Sequence, residues 1–314
     1  RGVELSLNAN LVQTKDFYLD FNFNIAFNKN KVDALYGANG DEMILSGGGT
    51  ETGSDNYRVF VGQEVGLMYG YVSDGMYSFD DFTFNPTTKK WDIVTTKDEN
   101  GVPIVTDCSG VLSRAGGYFG PGHMKLKDLN GDGVIDADND RKVIGHALPK
   151  HTGGFSFNAG WKGFDVTAMF NWSYGNDILN TNIRYEQTPS RQAGNLRKDA
   201  YYNAWTPENR SNLYPSSTSN VKGVVYDRYV EDGSYLRCSD ITLNYILPKA
   251  WMTKIGFQNT SIFASVKNAF VITNYSGYDP EVNSFAFDGL RRGIDMNAVS
   301  YTHLRAHETR GKLV

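Results

Sequence analysis

The residues with the clearest potential for chemistry lie in one acidic segment, 128–140, which reads DLNGDGVIDADND. Calcium prefers six to eight oxygen ligands, and a loop of the EF-hand type supplies them from positions 1, 3, 5, 7 and 9, with glycine at position 6. Counted from Asp128, that glycine position is Gly133. The predicted Ca²⁺ ligands are side chains and one main-chain carbonyl from Asp128, Asn130, Asp132, Val134, Asp136 and Asp140.

The end of this loop departs from the calcium pattern, because Asn139 occupies the twelfth position, where an acid is expected. One inserted residue would let Asp140 act instead, with weaker or distorted coordination. The alternative is a solvated turn in which Asp and Asn side chains bond to their own backbone. The sequence therefore predicts Ca²⁺ at this loop and leaves the turn as the alternative.

Other chemical signals are weaker. No motif places a nucleophile beside His123, His146 or His151, so we predict that the chain is not an enzyme. The formal charge of -4 and the lack of a basic stripe argue against nucleic acid as a partner. Cys108 and Cys238 match no metal spacing, so one disulfide and two free thiols are both open.

Alternating apolar and polar side chains around the acidic segment predict an all-β chain, because successive residues of a strand point to opposite faces. The run 153–162 and the run 164–175 are joined by Lys162-Gly163, which predicts a tight hairpin. Short helices are expected within 196–204 and 248–255. The predicted strands are roughly 2–12, 16–28, 57–72, 153–162, 164–175, 233–247 and 258–272.

Strand and loop lengths indicate the kind of β structure. The run 16–28 is longer than the five or six residues of an average strand, and it exceeds the 9–11 residues that a tilted strand needs to cross a bilayer. Short links alternate with long loops, as in outer-membrane barrels. The short links are 13–15, 162–163 and 248–257, and the long loops are 29–56, 78–152, 176–232 and the residues after 273.

Short motifs spread over residues 1–298 add a family resemblance. In chain order they are Gly2–Leu7, Phe21–Asn24, Asn28–Lys31, Gly62–Gly66, Tyr69–Tyr71, Asp74–Gly75, Lys127–Asp136, Trp205–Asn209, Asp232–Arg237, Ile241–Leu243, Asn268–Phe270 and Tyr275–Val282. Together they resemble the C-terminal barrel region of TonB-dependent outer-membrane transporters of the SusC/RagA type. No single motif is specific, but their order and coverage are.

The resemblance implies a fold, a location and a function. The fold would be a partial, C-terminal segment of a large antiparallel transmembrane β-barrel with long extracellular loops. Six to eight strands, against about 22 in such transporters, could not close. The segment would contact lipid in the outer membrane of a Gram-negative, Bacteroidetes-like cell.

By the same resemblance, the segment would form wall and extracellular loops of an importer of oligosaccharides, peptides or other polymer-derived nutrients. A SusD-like surface lipoprotein would be its partner. The TonB complex would act through an N-terminal plug that is absent here. The alternative from another class is a secreted calcium-binding β-sandwich adhesin or carbohydrate-binding module.

Substrate-binding residues stay unknown at this level, because each candidate set has a structural alternative. The polar strand faces could line a substrate path or simply a wet barrel interior; they include Asn22, Asn24, Asn158, Asn171, Ser173 and Asn244. Strand-end aromatics are expected to form an interfacial girdle; these are Trp161, Phe164, Trp172 and Tyr174. Loop aromatics are ligand candidates or loop packing; these are Tyr118, Phe119, Tyr201, Tyr202 and Trp205.

The two ends of the sequence need separate treatment. The chain begins at Arg1 without a methionine or signal peptide, so we expect it to be cut from a longer protein. Residues 299–309 resemble the translation of a sequencing adapter, which predicts that 299–314 is a non-native tail. His303 and His307 share helical spacing with zinc motifs, but in such a tail we do not expect a metal site.

Overall fold

A computed structural model of the 314-residue chain describes residues 1–36, 42–45, 56–94, 96–111, 119–187, 195–219, 224–257, 260–285 and 288–296. Three features named above lie outside these residues: the tail 299–314, Tyr118 and the start of the strand predicted from residue 258. Among the described helices, none is both long and apolar enough to span a membrane.

Strands dominate the described residues. In chain order they are β1 Gly2–Gln13, β2 Phe17–Asn28, β3 Glu42–Leu45, β4 Tyr57–Phe60, β5 Leu67–Tyr71, β6 Ser73–Met76, β7 Phe82–Asn85, β8 Lys90–Ile93, β9 Thr96–Lys97, β10 Pro103–Ile104, β11 Met124–Leu126, β12 Arg141–His146, β13 His151–Trp161, β14 Phe164–Tyr174, β15 Asp177–Asn180, β16 Val230–Asp232, β17 Tyr235–Ile246, β18 Ser261–Thr273 and β19 Ile294–Asp295. Short α-helices are α1 Asn182–Gln187, α2 Lys198–Tyr202 and α3 Lys249–Met252, and 3₁₀ turns are Phe79–Asp81, Asp227–Tyr229 and Thr253–Ile255.

Six long strands form a single sheet, called the wall below, in the order β1-β2-β13-β14-β17-β18. Every neighbouring pair is antiparallel. The predicted hairpin joins β13 and β14, where Lys162 and Gly163 have φ values of 46° and 90°. Both values lie in the left-handed region that a two-residue type I′ turn requires. The strand alternation and this turn are therefore confirmed.

The register of the wall places side chains of one type on one face. Phe155 lies opposite Phe23 on β2 and opposite Phe170 on β14, and the Phe155 and Phe170 rings stack with centroids 4.6 Å apart. The apolar face, called the outer face, stays exposed: Val3 keeps 59% of its surface and Ile262 63%. A β-sandwich buries its apolar faces between two sheets, so this exposed face argues against the sandwich alternative.

The wall has two distinct ends. At the turn end, three short connections join β1 to β2, β13 to β14 and β17 to β18, and the last of them contains α3. At the loop end, residues 29–150 join β2 to β13, and residues 175–234 join β14 to β17. Short and long connections thus lie at opposite ends of one sheet, as the loop lengths predicted.

The long connections at the loop end differ from the prediction. The short helix expected within 196–204 is present as α2. The range 57–72 was expected to be one wall strand, yet it contains β4 and β5, two short strands of a separate sheet ordered β12-β5-β4-β3. The described residues of these connections also form a second sheet, β16-β15-β19, and three two-stranded sheets, β6-β11, β7-β8 and β9-β10. We call this assembly, made of the described residues of 29–150, 175–234 and 274–296, the loop body.

A hydrophobic core holds the loop body together. Tyr57, Leu67, Met68, Tyr77 and Leu179 are each at most 1% exposed. The core draws on segments far apart in sequence, since Val224, Tyr229 and Ile294 pack into it as well. The strands β4, β5 and β15 are short and have buried residues on both faces, so they lack the two-residue alternation that identifies a wall strand. For this reason the sequence pattern predicted one wall strand over 57–72 and did not reveal the separate short strands.

Candidate functional site

The inner face of the wall carries a continuous set of polar side chains. Asn22 donates to the Ser156 hydroxyl over 3.2 Å, and Thr167 donates to Asn158 over 3.0 Å. Their strand neighbours continue the pattern, with Asn8, Asn10, Asp20 and Thr242 in register on the same face. The structure thus brings together the polar residues that the alternation predicted, and it aligns them along one surface.

A charged pair lies among these polar side chains. Asp240 of β17 is 7% exposed and accepts a hydrogen bond from the Thr242 hydroxyl at 2.7 Å. The Lys267 ammonium on β18 forms an ion pair with the same carboxylate. A β-bulge separates Cys238 from Asp240 in the pairing with β18. A bulge shifts the strand register, and here Asp240 lies opposite Lys267 just beyond it.

At the loop end of the inner face, Arg237 connects the wall to the segment that follows β18. Its guanidinium contacts Asp279 at 2.6 Å and Glu281 at 2.8 Å, and the Tyr235 hydroxyl donates to Glu281 at 2.7 Å. Arg237 is 8% exposed. A buried arginine paired with two carboxylates holds them in fixed positions, because its planar donors favour one geometry.

A cavity of about 390 Å³ opens beside this cluster, between the inner face and the loop body. Its lining combines hydroxyl, amide and charged groups, including Thr152, Ser173, Tyr235, Glu281, Asn283 and Arg292. Such convergent donors and acceptors suit the binding of a polar organic molecule. The sequence prediction missed Tyr235, Glu281 and Arg292, although Asp232–Arg237 and Tyr275–Val282 carried the family resemblance.

The acidic segment 128–140 lies in the loop body and is folded around its own backbone. The Asp128 carboxylate accepts the amide N–H groups of Gly131 at 2.6 Å and Gly133 at 2.8 Å. Asn130 accepts from the Asp132 amide, and Asp132 accepts from the Val134 amide. Gly133 has a φ of 81°, in the conformation that the tight turn of a calcium loop demands.

Asp140 closes this segment from the inside. It is completely buried, and its two oxygens accept the amides of Leu129 and Asp136 at 2.7 and 2.8 Å. Burial raises the pKa of the Asp140 carboxyl, whereas the amides of Asn139 and Asp138 lower the pKa of Asp136. Among the described residues, no three Asp, Glu, His or Cys side chains are grouped to hold a metal ion. Calcium at this segment stays a prediction.

The cysteines and histidines have unrelated surroundings. Cys108 and Cys238 are buried free thiols, one in the loop body and one in β17. Burial raises the pKa of the Cys108 thiol to about 11. His123 is buried in the loop body, His146 pairs with Glu64 at 2.6 Å, and the His151 ring stacks on Tyr174 on the outer face.

The aromatic candidates separate into three groups. Trp161 and Phe164 lie on the outer face at the turn end, and Trp172 and Tyr174 lie there at the loop end, as a girdle prediction requires. Phe119 and Trp205 are 7% and 6% exposed and belong to the loop body core, so they are not available as ligand platforms. Tyr201 and Tyr202 remain 68% and 69% exposed and are available to a ligand.

Comparisons with known proteins identify similar chains. The sequence is 30% identical over 295 residues to the TonB-dependent receptor P39 of Formosa agariphila, covering 90% of this chain and 27% of the relative. It is 30% identical over 309 residues to receptor P3 of the same organism, covering 97% and 27%. It is 25% identical over 303 residues to the TonB-dependent receptor SusC of Bacteroides thetaiotaomicron, covering 94% of this chain and 24% of the relative. No protein-family model matches the chain.

Solved structures agree with these relatives. The RagAB peptide transporter matches with a TM-score of 0.58 and 21% identity, over 89% of this chain and 26% of that one. The RagAB peptide importer in its open-open state matches with a TM-score of 0.61 and 20% identity, over 94% of this chain and 26% of that one. These matches confirm the predicted fold, a partial β-barrel. The chain spans about a quarter of the length of the curated relatives it matches.

Proposed function

Because this chain is a segment of the SusC/RagA-type TonB-dependent receptors, we propose that it forms wall and extracellular loops of an outer-membrane importer. The imported molecule is a polar, polymer-derived nutrient, either an oligosaccharide or a peptide. The observation that carries this proposal is the polar inner face together with the cavity between this face and the loop body, at the loop end of the wall. The outer face contacts lipid, and the inner face lines a wet path.

The residues around the cavity would bind and orient cargo without changing it chemically. Glu281 and Arg292 offer opposite charges beside the hydroxyls of Thr152 and Tyr235. A peptide presents both charges and amide groups, and an oligosaccharide presents hydroxyls, so both find partners in this lining. The Arg237 contacts to Asp279 and Glu281 hold one side of the cavity against the wall.

Two partners follow from the same proposal. A SusD-like surface lipoprotein would cover the loop body, and the TonB complex would supply energy through a plug domain. The RagAB and SusC similarities support this assignment. The exposed Tyr201 and Tyr202 side chains, whose rings lie 5.3 Å apart, are available for contact with such a covering protein or with cargo.

The test is an uptake assay with the full-length receptor in cells that lack the native gene. Thr152→Trp places a large ring at the cavity and is expected to reduce uptake of the cognate nutrient at least tenfold. Phe157→Trp, an aromatic exchange on the outer face at a residue that is 38% exposed, is the matched control and should leave uptake unchanged. Labelled peptide and oligosaccharide pools are supplied separately, so the result also assigns the substrate class.

Normal uptake by Thr152→Trp receptors at wild-type surface abundance would contradict a role for this cavity in import. If deletion of the gene reduces uptake of neither the peptide pool nor the oligosaccharide pool, the import function itself is contradicted.

We also propose that segment 128–140 binds Ca²⁺. The support is its oxygen-rich composition and the turn at Gly133, and binding would require Asp128 and Asp132 to turn towards a common centre. In calcium buffer the full-length receptor should resist protease cleavage of the loop body longer than in chelator. Asp128→Asn with Asp132→Asn should abolish that difference, and Asp98→Asn in a neighbouring turn should keep it. Equal cleavage rates with and without calcium would refute the site.

A further inference from the structure

The cavity of about 390 Å³ between the inner face and the loop body, called the cargo cavity below, lies beside a cluster with one negative charge in excess. Asp279 and Glu281 both contact the Arg237 guanidinium, so two carboxylates share one cation. Among the ion pairs of the described residues, no second cation contacts either carboxylate, and Arg292 of the cavity lining contacts neither. The cluster is therefore short of one positive charge.

Glu281 is the carboxylate of this cluster that belongs to the cavity. It lines the cavity, whereas Arg237 and Asp279 lie outside the lining, and its side chain is 43% exposed. Its two oxygens have one contact each, with the Tyr235 hydroxyl at 2.7 Å and with the Arg237 guanidinium at 2.8 Å. A carboxylate can accept about four hydrogen bonds, so each oxygen has room for a further donor.

Two hydroxyl groups of the lining already donate their protons to protein oxygens. Tyr235 donates to Glu281, and Ser173 donates to the amide oxygen of Asn176 at 2.7 Å. Asn176 also lines the cavity, and its amide nitrogen donates to the Gly233 carbonyl. Because a hydroxyl has a single proton to donate, Ser173 and Tyr235 in this arrangement can only accept hydrogen bonds from a bound molecule.

Asn283 adds another acceptor to the same side of the cavity. It lines the cavity two residues after Glu281, and its amide oxygen is buried without a donor among the described residues. A buried acceptor that has no donor is unfavourable, and a donor that reaches it removes that cost. This side of the cavity thus has more acceptors than donors, next to a cluster that lacks a cation.

We propose that this side of the cargo cavity binds a protonated primary amine of the cargo, with Glu281 as its counter-ion. An ammonium group brings three donors, one positive charge and no acceptor, which matches both the excess of acceptors and the missing charge. A sugar hydroxyl brings one donor and no charge, so it meets only part of the requirement. The amine is that of a peptide or of an amino sugar, and the inference rests on the proposed import function.

The test compares how the detergent-solubilised full-length receptor retains amine-bearing and N-acetylated probes. One pair is a lysine-free random tetrapeptide pool with free or acetylated α-amino groups, and the other is a glucosamine tetramer with free or acetylated amines. At about pH 6 the free α-amino groups are protonated. In at least one pair, the wild type should retain the free form about fivefold better, which corresponds to ~1 kcal/mol. The pair that shows this preference identifies the source of the amine.

Three variants connect the preference to one carboxylate. Glu281→Gln keeps the size of the side chain and removes its charge, so the preference for the free amine should disappear. Glu281→Asp keeps the charge and should still favour the free amine. Glu208→Gln is the matched control, because it removes an exposed carboxylate of the loop body outside the cavity lining; it should keep the full preference. The ratio of free to acetylated probe is compared, so a general loss of binding does not imitate the effect.

Three results would overturn the proposal. The first is a wild type that prefers the free form in neither pair, including one that retains no probe. The second is an unchanged preference in Glu281→Gln, and the third is an equal loss in Glu208→Gln, which would show an effect of net charge. Import is measured separately by uptake in cells. Uptake that depends on the gene, together with equal retention of both forms, would therefore overturn the amine site and leave the import function standing.

Discussion

The wall and the loop body use similar apolar residues in opposite ways. On the wall, Leu5 and Val3 remain more than half exposed, whereas Leu67 and Val111 of the loop body are almost completely buried. The wall is one sheet whose apolar face has no protein partner, and the loop body is several small sheets packed around a common core. Under the proposed function, lipid takes the place of a protein core for the wall, whereas the loop body, in water, must build its own core.

The largest expected effect comes from removing core volume in the loop body. Leu67→Ala truncates a loop-body side chain that is 1% exposed, and such truncations cost about 2–5 kcal/mol. Leu5→Ala removes the same atoms from the outer face and should not loosen the loop body. The measurement is the rate of protease cleavage within the loop body of the full-length receptor in membranes. Equal acceleration by both variants would show that the two regions are one cooperative unit.

A charge placed on each face of the wall gives the next largest effect. Ala168 faces outward beside Phe157, and Met169 faces inward between Ser156 and Asp240. Ala168→Arg should cost about 2–4 kcal/mol of barrel stability, because the outer face offers an arginine only hydrocarbon near the middle of the strand. Met169→Arg should be tolerated, since the inner face is wet and Asp240 is adjacent. Assembled receptor in the outer membrane is quantified for both; similar losses would contradict the assigned faces.

The smallest expected effect concerns the two thiols, one in each region of the chain. Burial raises the pKa of Cys108 to about 11, and only the thiolate reacts readily. Cys108 should therefore resist alkylation at pH 8, with the receptor folded, and react when the loop body opens. Because the pKa of the Cys108 thiol is higher in the folded than in the unfolded state, the free energy of unfolding falls as pH rises from the unfolded pKa towards 11.

Single-thiol receptors carrying Cys108→Ser or Cys238→Ser allow each region to be followed separately by alkylation and mass analysis. Mild denaturant should expose Cys108 first, because the loop body depends on aqueous packing, and Cys238 later with the wall. Simultaneous labelling of both thiols would contradict independent opening of the two regions.

The wall could be predicted well from the sequence and the loop body could not. In β2 and β14 apolar and polar side chains alternate along most of the strand, so the two faces and the Lys162-Gly163 turn follow from local pattern. In the loop body, β4 and β5 are four and five residues long and buried on both faces. Trp205 illustrates the consequence, since an exposed ligand platform and a core residue look the same in sequence.

The candidate site divides in the same way. The polar inner face follows from alternation within each strand, because register simply aligns what each strand already presents. The cavity does not follow, since Thr152, Tyr235, Glu281 and Arg292 come from four separate segments. The sequence identified the acidic segment as a candidate calcium loop. It did not predict that Asp140 turns inward and accepts hydrogen bonds from two backbone amides.

By itself, the sequence determined an antiparallel wall with one apolar and one polar face, short turns at one end and long connections at the other. These properties depend on neighbours along the chain, and period and turn chemistry are local. The tertiary structure decided that the long connections form a packed body, that Arg237 joins wall and loops, and that both cysteines stay free. Those outcomes depend on contacts between residues far apart in sequence, such as Tyr57 with Arg292, which no local pattern encodes.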